Sequence, residues 1–301
     1  MRIASLLPSA TEILFALGAG SEIVGVSHEC DYPPEARGLP VLTGSAVETQ
    51  GLSQVEIDTA ITRLLTSGGS TYNIDVSRLS ELRPDLVITQ ALCDVCAVSE
   101  GQVHRVIHEQ QLGARVLTLT PLDLEGVVRS VEEVAVAIGR SNKGALLAAE
   151  MRKRLNLPVS SASSPPRVLA LEWLDPPYRA GHWVPEQVLY AGGKDVLAEP
   201  GEKSERVTWE AIAASNPDIA LLLPCGLSLD EVLAEATVLR DHPEWSSLPA
   251  VSNGAVWALD ASAWFSRPGP RLLEGIEALS TILADPTGDH SLPGARKVSS
   301  L

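Results

Sequence analysis

The sequence predicts an α/β protein of two three-layer lobes, each with a central, mostly parallel sheet, joined by a single long backbone helix. Three observations predict this class. Short buried strands alternate with helices, two pairs of segments recur in the same order, and a helical stretch separates the two occurrences. With 301 residues, 45% of them hydrophobic, the chain is long enough for two domains with separate cores.

The first recurring pair is a buried strand followed by a helix. Residues 2–6 (RIASL) predict the strand, and Ser9 with Glu12 predicts a capping box that begins the next helix. Residues 167–171 (RVLAL) predict the second strand, and Pro185 suits the first turn of its helix. The two helices contain TEILFALG and PEQVLYAG, which match in their Glu and Gly positions.

The second recurring pair joins a helix to a strand through a Pro-Asp turn. Residues 79–93 (LSELRPDLVITQALC) resemble residues 211–225 (AIAASNPDIALLLPC), and both segments end in Cys. Two pairs in the same order indicate two related lobes, and chance similarity of α/β elements is the alternative.

The predicted lobes comprise residues 1–140 and 159–284, and the connecting backbone helix spans 141–158. Residues 145–155 are rich in strong helix formers, and SSASSPP then forms a polar linker. Because a helix is stiffer than a flexible loop, we expect little movement between the lobes. The tail, 285–301, has no periodicity and is predicted to be disordered.

The composition excludes several classes of partner. A net charge of −15 repels phosphate backbones, which excludes nucleic acid and anionic membrane surfaces. No apolar run approaches the roughly 20 residues that span a bilayer, and MRIASLLPSATE lacks the long apolar core of a signal peptide. We therefore expect a cytoplasmic protein, with export as the alternative if the true start lies upstream.

The strand ends predict where a ligand binds. In open α/β sheets, ligands bind beyond the carboxyl ends of the strands. If the lobes face each other, the loops at these ends line one cleft between them. The loops are 7–9, 27–33, 90–98, 172–184, 224–227 and 260–271.

Half of the aromatic residues (two Phe, four Tyr and six Trp in all) lie in these loops. Flat side chains with a polar edge suit a large, flat, partly apolar ligand. Alternatively, each ring closes the core of its own lobe.

Arg267 lies in SRPGPR, where Pro and Gly stiffen the loop and orient a guanidinium toward ligand oxygens. The predicted ligand-binding residues are Ser9, Tyr32, Trp173, Tyr178, Trp183, Trp264, Phe265 and Arg267.

The four cysteines also lie in strand-end loops. Cys93 and Cys96 have C-x-x-C spacing, and Cys30 with Cys225 would complete a tetrahedral set for zinc or an iron–sulfur cluster. His28 and His182 are further candidate ligands. The alternative is a set of unliganded thiols. A thioredoxin-type role fits less well, because the cysteines precede the predicted helix start.

The residues quoted above carry a family resemblance. SLLPSATEILFALGAGSEIVGVSHECDYPPEA, LSELRPDLVIT and WFSRPGPRLLEGIEAL resemble the cobalamin-binding members of the class III periplasmic receptors for metal complexes. The resemblance covers residues 2–283 and implies two α/β lobes with a cleft for corrinoids, haem or ferric siderophores. It also implies that Tyr32 and Trp264 lie near a corrinoid, and that Arg267 is a polar cleft residue. The cysteines and the N-terminus resemble a cytosolic branch of the family.

Three functions follow from these observations. The first is a binding protein for a corrinoid (cobalamin or cobinamide) or similar metal complex, acting as a monomer, with a membrane permease as partner only by family analogy. The second is a metal or iron–sulfur protein with a sensing, carrier or redox role. The third is an enzyme, with acid–base groups among Asp31, Glu172, Asp175 and His182. It ranks last because the sequence contains no nucleophile elbow or phosphate loop.

Overall fold

The computed structural model describes residues 1–49, 51–92, 98–156 and 164–298. The chain divides into two compact units. Unit 1 comprises Met1–Pro121 and Glu125–Arg152, and unit 2 comprises Leu122–Leu124 and Lys153–Leu301.

Unit 1 begins with a strand whose residues are all buried, and most of its later strands alternate with helices. Its strands are β1 (Ile3–Ser5), β2 (Ile23–Val26), β3 (Thr43–Ser45), β4 (Tyr72–Ile74), β5 (Leu86–Gln90) and β6 (Arg115–Leu119). Its helices are α1 (Pro8–Ala16), α2 (Gln54–Thr66), α3 (Val76–Leu82), α4 (Glu100–Glu109), α5 (Leu124–Ala137), which starts at the unit boundary, and α6 (Ser141–Leu155), which continues into unit 2.

The sheet of unit 1 is parallel, with the strand order β2-β1-β5-β6. Strands β3 and β4 form a separate antiparallel pair. A buried cluster on one face of the sheet includes Leu6, Leu42, Val87 and Val103. The same cluster includes residues of β1, β5 and β6, so three strands of the sheet share this core.

Unit 2 repeats this plan with additional strands. Its strands are β7 (Arg167–Leu174), β8 (Pro177–Arg179), β9 (Lys194–Asp195), β10 (Glu205–Arg206), β11 (Ile219–Leu222), β12 (Val256–Leu259) and β13 (Ala295–Lys297). Its helices are α7 (Val184–Tyr190), α8 (Trp209–Ser215), α9 (Leu229–Glu235), α10 (Pro243–Ser246), α11 (Pro249–Ser252), α12 (Ala261–Trp264) and α13 (Leu272–Ala284).

The parallel strands of unit 2 have the order β9-β7-β11-β12, which matches the order β2-β1-β5-β6 of unit 1. Strands β8, β10 and β13 add antiparallel pairs to this sheet. The core between the sheet and helices α8–α11 includes Leu169, Leu222, Val232 and the fully buried Trp245.

The duplication extends to single hydrogen bonds. In unit 1, the Asp85 carboxylate accepts from the amide of Arg2 at 2.7 Å, and the Asp85 amide donates to the Arg2 carbonyl. In unit 2, Asp218 makes the same pair of bonds with Arg167, the carboxylate bond at 2.8 Å. Both Pro-Asp turns thus tie a strand start to the central strand of its sheet.

The predicted fold class is confirmed: the structure has two α/β units with mostly parallel sheets, and helix α6 carries the chain from one to the other. The predicted capping box of Ser9 and Glu12 is wrong. Helix α1 begins at Pro8, and its N-cap, Leu7, makes no side-chain cap. A leucine at the N-cap has no side-chain oxygen to accept from the N–H groups of the first turn.

The predicted disorder of 285–301 is also wrong for residues 285–298. Strand β13 pairs antiparallel with β12, and the indole of Trp257 donates to the Pro286 carbonyl at 2.9 Å. The last residues, 299–301, lie outside the described part of the chain. The tail has no helical or strand periodicity in its sequence because it forms only one three-residue strand and turns, which cover the edge of the sheet.

Among the described residues, no helix has the length and apolar character needed to cross a bilayer.

Candidate functional site

The loop after β2 forms the most polar part of unit 1's sheet edge. Its side chains alternate in exposure: Ser27 is buried, His28 is exposed, Glu29 is half-buried and Cys30 is buried again. Tyr32 follows with 43% of its surface exposed. We call residues 27–32, together with Thr43 and Tyr72 of β3 and β4, the unit 1 edge.

Hydrogen bonds orient the side chains of the unit 1 edge. Nδ1 of His28 lies 2.7 Å from Oγ1 of Thr43, and the His28 amide donates to the same oxygen at 3.1 Å. The phenol of Tyr72 donates to the Glu29 carboxylate at 2.9 Å, and its ring lies 5.4 Å from the His28 imidazole. Thr43 of β3 and Tyr72 of β4 therefore orient the imidazole of His28 and the carboxylate of Glu29 in the loop after β2.

A buried polar network supports this edge from below. The hydroxyl of Thr11 lies 2.8 Å from the hydroxyl of Ser5 and 3.1 Å from the thiol of Cys30. Cys30 is only 5% exposed, and Ser9, in the first turn of α1, is 2% exposed. The structure thus buries the side chains of Cys30 and Ser9, and ligand contact by Ser9 stays a prediction.

The strand-end aromatics of unit 2 have a different environment. Trp183, Trp264 and Phe265 are 5%, 7% and 1% exposed. The indole of Trp183 donates to the Phe265 carbonyl at 2.7 Å, and the buried amide of Gln187 donates to the Trp264 carbonyl at 2.9 Å. Packing within their own unit, the alternative that the sequence left open, accounts for these three rings. Ligand contact by them stays a prediction.

Three other candidates of unit 2 are half-buried. Trp173 and Tyr178 pair across β7 and β8, and His182 lies 5.6 Å from the Trp183 ring. Within the described residues, Nε1 of Trp173 and Nε2 of His182 are buried without a hydrogen-bond partner. Burial, followed by the charge of Lys203, lowers the pKa of His182 below its ordinary value. The environment of this imidazole therefore favours its neutral form.

Four carboxyls of unit 2 have raised pKa values, and the shift is large for two of them, Glu172 and Asp195. Burial raises the pKa of Glu172 to about 8, and the nearby Cys225 adds to the effect, although the Gly181 amide donates to its Oε1 at 3.0 Å. Burial raises the pKa of Asp195 to about 7, against two amide donors, Leu197 and Ala198, at 2.9 Å each. In the folded protein both carboxyls therefore keep their protons to a higher pH than free carboxyls do.

The described residues give no support to a metal site of cysteines. Cys30 contacts Thr11 in unit 1, and Cys225 is exposed in unit 2. Cys93 and Cys96 lie outside the described residues. In the part of the chain that the structure covers, no three His, Cys, Asp or Glu side chains form a group able to hold a metal ion. Zinc or an iron–sulfur cluster bound by Cys30, Cys225, His28 or His182 is therefore not supported.

Arg267 is half-buried between α12 and α13, and its carbonyl accepts from the Gly269 amide at 2.8 Å. Its contact with ligand stays a prediction.

Sequence reasoning missed Thr43, Tyr72 and Asp195. Tyr72 and Thr43 belong to an antiparallel pair outside the parallel sheet, so the rule of strand ends did not select them. Asp195 is the last residue of a short edge strand, where an acidic residue predicts exposure.

The fold consists of two related α/β units whose parallel strands follow matching orders. The family model described as periplasmic binding protein matches residues 3–263, and the chain belongs to this family. The predicted recognition of the family is thereby confirmed. Members of the family serve ABC transporters as substrate-binding proteins, so the prediction that this chain is not an enzyme is also confirmed.

Particular relatives match along nearly the whole chain. The vitamin B12-binding protein of Vibrio cholerae serotype O1 is 26% identical over 288 residues, which cover 94% of this chain and 88% of that protein. The uncharacterized ABC transporter substrate-binding lipoprotein YvrC of Bacillus subtilis is 26% identical, covering 93% of this chain and 78% of its own length. Among solved structures, the periplasmic heme-binding protein BhuT in complex with two hemes is 25% identical with a TM-score of 0.68, covering 95% of this chain and 99% of that one.

The prediction of a cytoplasmic protein is wrong. The family and BhuT are described as periplasmic, and YvrC is a lipoprotein, which indicates a location outside the cytoplasm. The prediction rested on the composition of the N-terminal segment. That composition describes one strand and one helix of unit 1 and carries no information on where the folded domain acts.

Proposed function

We propose that the protein binds a corrinoid, cobalamin or cobinamide, as the substrate-binding component of an ABC transporter. The observation that carries this proposal is the similarity to the vitamin B12-binding protein of Vibrio cholerae, 26% identical over 94% of this chain. A similarity of this extent includes the strand-end loops of both units, which is where an α/β sheet binds ligands.

The chemistry of the unit 1 edge supports a corrinoid. A corrin is a broad, flat macrocycle with amide side chains, so its receptor needs an exposed ring and polar groups around it. Tyr32 exposes 43% of its surface at the end of β2. The His28 imidazole lies 5.4 Å from the ring of Tyr72, and the hydrogen-bonded pair of Tyr72 and Glu29 adds polar groups suited to amides.

The proposed role includes a membrane partner. The substrate-binding protein of an ABC transporter delivers its ligand to a permease, and YvrC is named as such a protein. We propose that this chain acts in the same way, as a monomer, outside the cytoplasm.

Titration calorimetry with the untagged chain tests the ligand. Cyanocobalamin and dicyanocobinamide are titrated separately, and we expect saturable binding of one corrinoid per chain. A chain that gives no heat with either compound at high micromolar concentration does not have the proposed function.

Haem is a second candidate, favoured by a specific feature of the unit 1 edge. The exposed His28 imidazole is positioned by Thr43, and with Nδ1 donating to that hydroxyl its Nε2 carries a lone pair. Imidazole is a common axial ligand of haem iron. BhuT, at 25% identity, was solved with two hemes.

His28→Ala separates the two ligands. If haem is the ligand, hemin gives a shifted Soret band that His28→Ala abolishes. Cyanocobalamin carries both axial ligands of its cobalt, so its affinity should change little in the same variant. His242→Gln is the matched control, because His242 stacks on Trp209 in unit 2 at 4.0 Å, outside the unit 1 edge. Equal loss of hemin binding in both variants would exclude axial ligation by His28.

A further inference from the structure

Helix α4 of unit 1 has a pair of exposed histidines that lie outside the candidate site. His104 and His108 are four residues apart, so they lie on the same face of the helix, one turn from each other. Both side chains are exposed, and that of His104 is 58% exposed. Neither imidazole therefore fills a core position.

We propose that His104 and His108 together bind a divalent transition-metal cation, with water completing its coordination. Two imidazoles at this spacing on a helix can bind one metal ion. Neutral imidazole nitrogen suits Cu²⁺, Ni²⁺ and Zn²⁺ and is a poor ligand for Mg²⁺ and Ca²⁺, which prefer oxygen.

The surroundings of the pair have space for a hydrated ion. The two histidines line a groove of about 530 Å³ together with Ile107, Gln111 and Leu112. The groove is open to solvent on one side, so water ligands and exchange with bulk are available. The side-chain oxygen of Gln111 is a further polar group beside the pair.

The carboxylate of Glu100, one helical turn before His104, orients the His104 imidazole. Oε1 of Glu100 lies 3.5 Å from Nε2 of His104, and the same oxygen accepts from the hydroxyl of Thr118 at 2.9 Å. A carboxylate beside one imidazole nitrogen favours the proton there and leaves the other nitrogen to bind metal. Glu100 is thus a positioning residue.

Charge favours a cation at this place. His108 lies in the last turn of α4, where the unpaired carbonyls carry partial negative charge. The net charge of −15 also raises the local concentration of cations.

Calorimetric titration of the untagged full chain with NiCl₂, CuCl₂ and MgCl₂ tests the proposal. We expect one Ni²⁺ per chain, tighter binding of Cu²⁺ than of Ni²⁺, and no binding of Mg²⁺. Replacing either histidine by Ala should weaken Ni²⁺ binding at least tenfold, and the double variant should abolish it. Glu100→Gln should weaken binding by about tenfold while leaving one ion per chain.

The control is the double variant Arg105→Ala/Glu109→Ala. These residues are also exposed on α4 and four apart, and their replacement should leave Ni²⁺ affinity unchanged. His104→Gln/His108→Gln is the second test variant, and far-UV circular dichroism checks that each variant retains its helices. Wild-type Ni²⁺ affinity in both double histidine variants would overturn the proposal, as would equal binding of Mg²⁺.

Discussion

The two units share one framework and differ at the edges where their strands end. Strands β1 and β7 hold the same place in matching sheet orders, and the same Asp-to-amide bonds tie their starts. Beyond β2 in unit 1, His28 and Tyr32 are exposed above a hydrogen-bonded polar base. In unit 2, Trp183 and Trp264 are buried.

This difference shows that an aromatic residue in a strand-end loop is not by itself evidence of ligand contact. In unit 2 the rings have neighbours of their own: Trp264 packs on the backbone at Gly294, where an added Cβ would lie 2.6 Å from the ring. In unit 1 the loop after β2 is short and polar, and its Tyr32 ring stays at the surface. The units should therefore respond to substitution in opposite ways.

The largest expected effect is on the stability of unit 2. Trp264→Ala should lower the free energy of unfolding by about 3–5 kcal/mol, because it removes a buried indole and leaves a cavity. Guanidinium unfolding measures the change, and Val136→Ala, at a position 65% exposed, is the control. A loss below about 1 kcal/mol together with weaker corrinoid binding would place the ring in a ligand site after all.

The second expected effect is a pH dependence of stability that arises in unit 2. The folded-state pKa values of Glu172 (about 8) and Asp195 (about 7) lie above their ordinary values of 4.5 and 3.8. The folded chain therefore keeps protons that the unfolded chain releases. The free energy of unfolding should fall as pH rises from 4 toward 8, by at most about 1.4 kcal/mol per pH unit for each carboxyl.

Glu172→Gln and Asp195→Asn test this effect. Each variant keeps the oxygen that accepts the backbone amides and removes the titration. The fall in unfolding midpoint between pH 5 and pH 8 should become smaller in each variant and smallest in the double variant. Glu35→Gln, an exposed position of unit 1, is the control. An unchanged pH profile in the double variant would contradict the raised pKa values.

The smallest effect on stability is expected at the unit 1 edge. Tyr32→Ala should change the free energy of unfolding by no more than about 0.5 kcal/mol, because the side chain is 43% exposed. Its corrinoid affinity should fall by about tenfold if the ring lies against the macrocycle, an energy of about 1.4 kcal/mol. Tyr32→Phe should retain most of the affinity. Full affinity in Tyr32→Ala would remove this residue from the proposed site.

Local patterns determined most of the framework. The apolar runs RIASL and RVLAL became β1 and β7, and the RPD and NPD turns end α3 and α8 with Arg83 and Asn216 in left-handed conformations. These features depend on neighbours in sequence: burial of a short apolar run, and a proline that stops the preceding helix. The repetition of the two pairs was therefore readable without a structure.

Only the tertiary structure decided which loop residues are exposed. Trp183, Trp264 and Tyr32 all follow strands, but the backbone carbonyl of Phe265 and the amide of Gln187 exist as partners only after unit 2 has folded. Likewise, Thr43 and Tyr72 belong to the unit 1 edge because β3 pairs with β4. These strands are far apart in the sequence, so no local pattern predicts their pairing. Burial and hydrogen bonding between distant segments exist only in the packed chain. The local sequence therefore specifies the strands, and the tertiary structure decides which loop residues belong to the core and which to the candidate site.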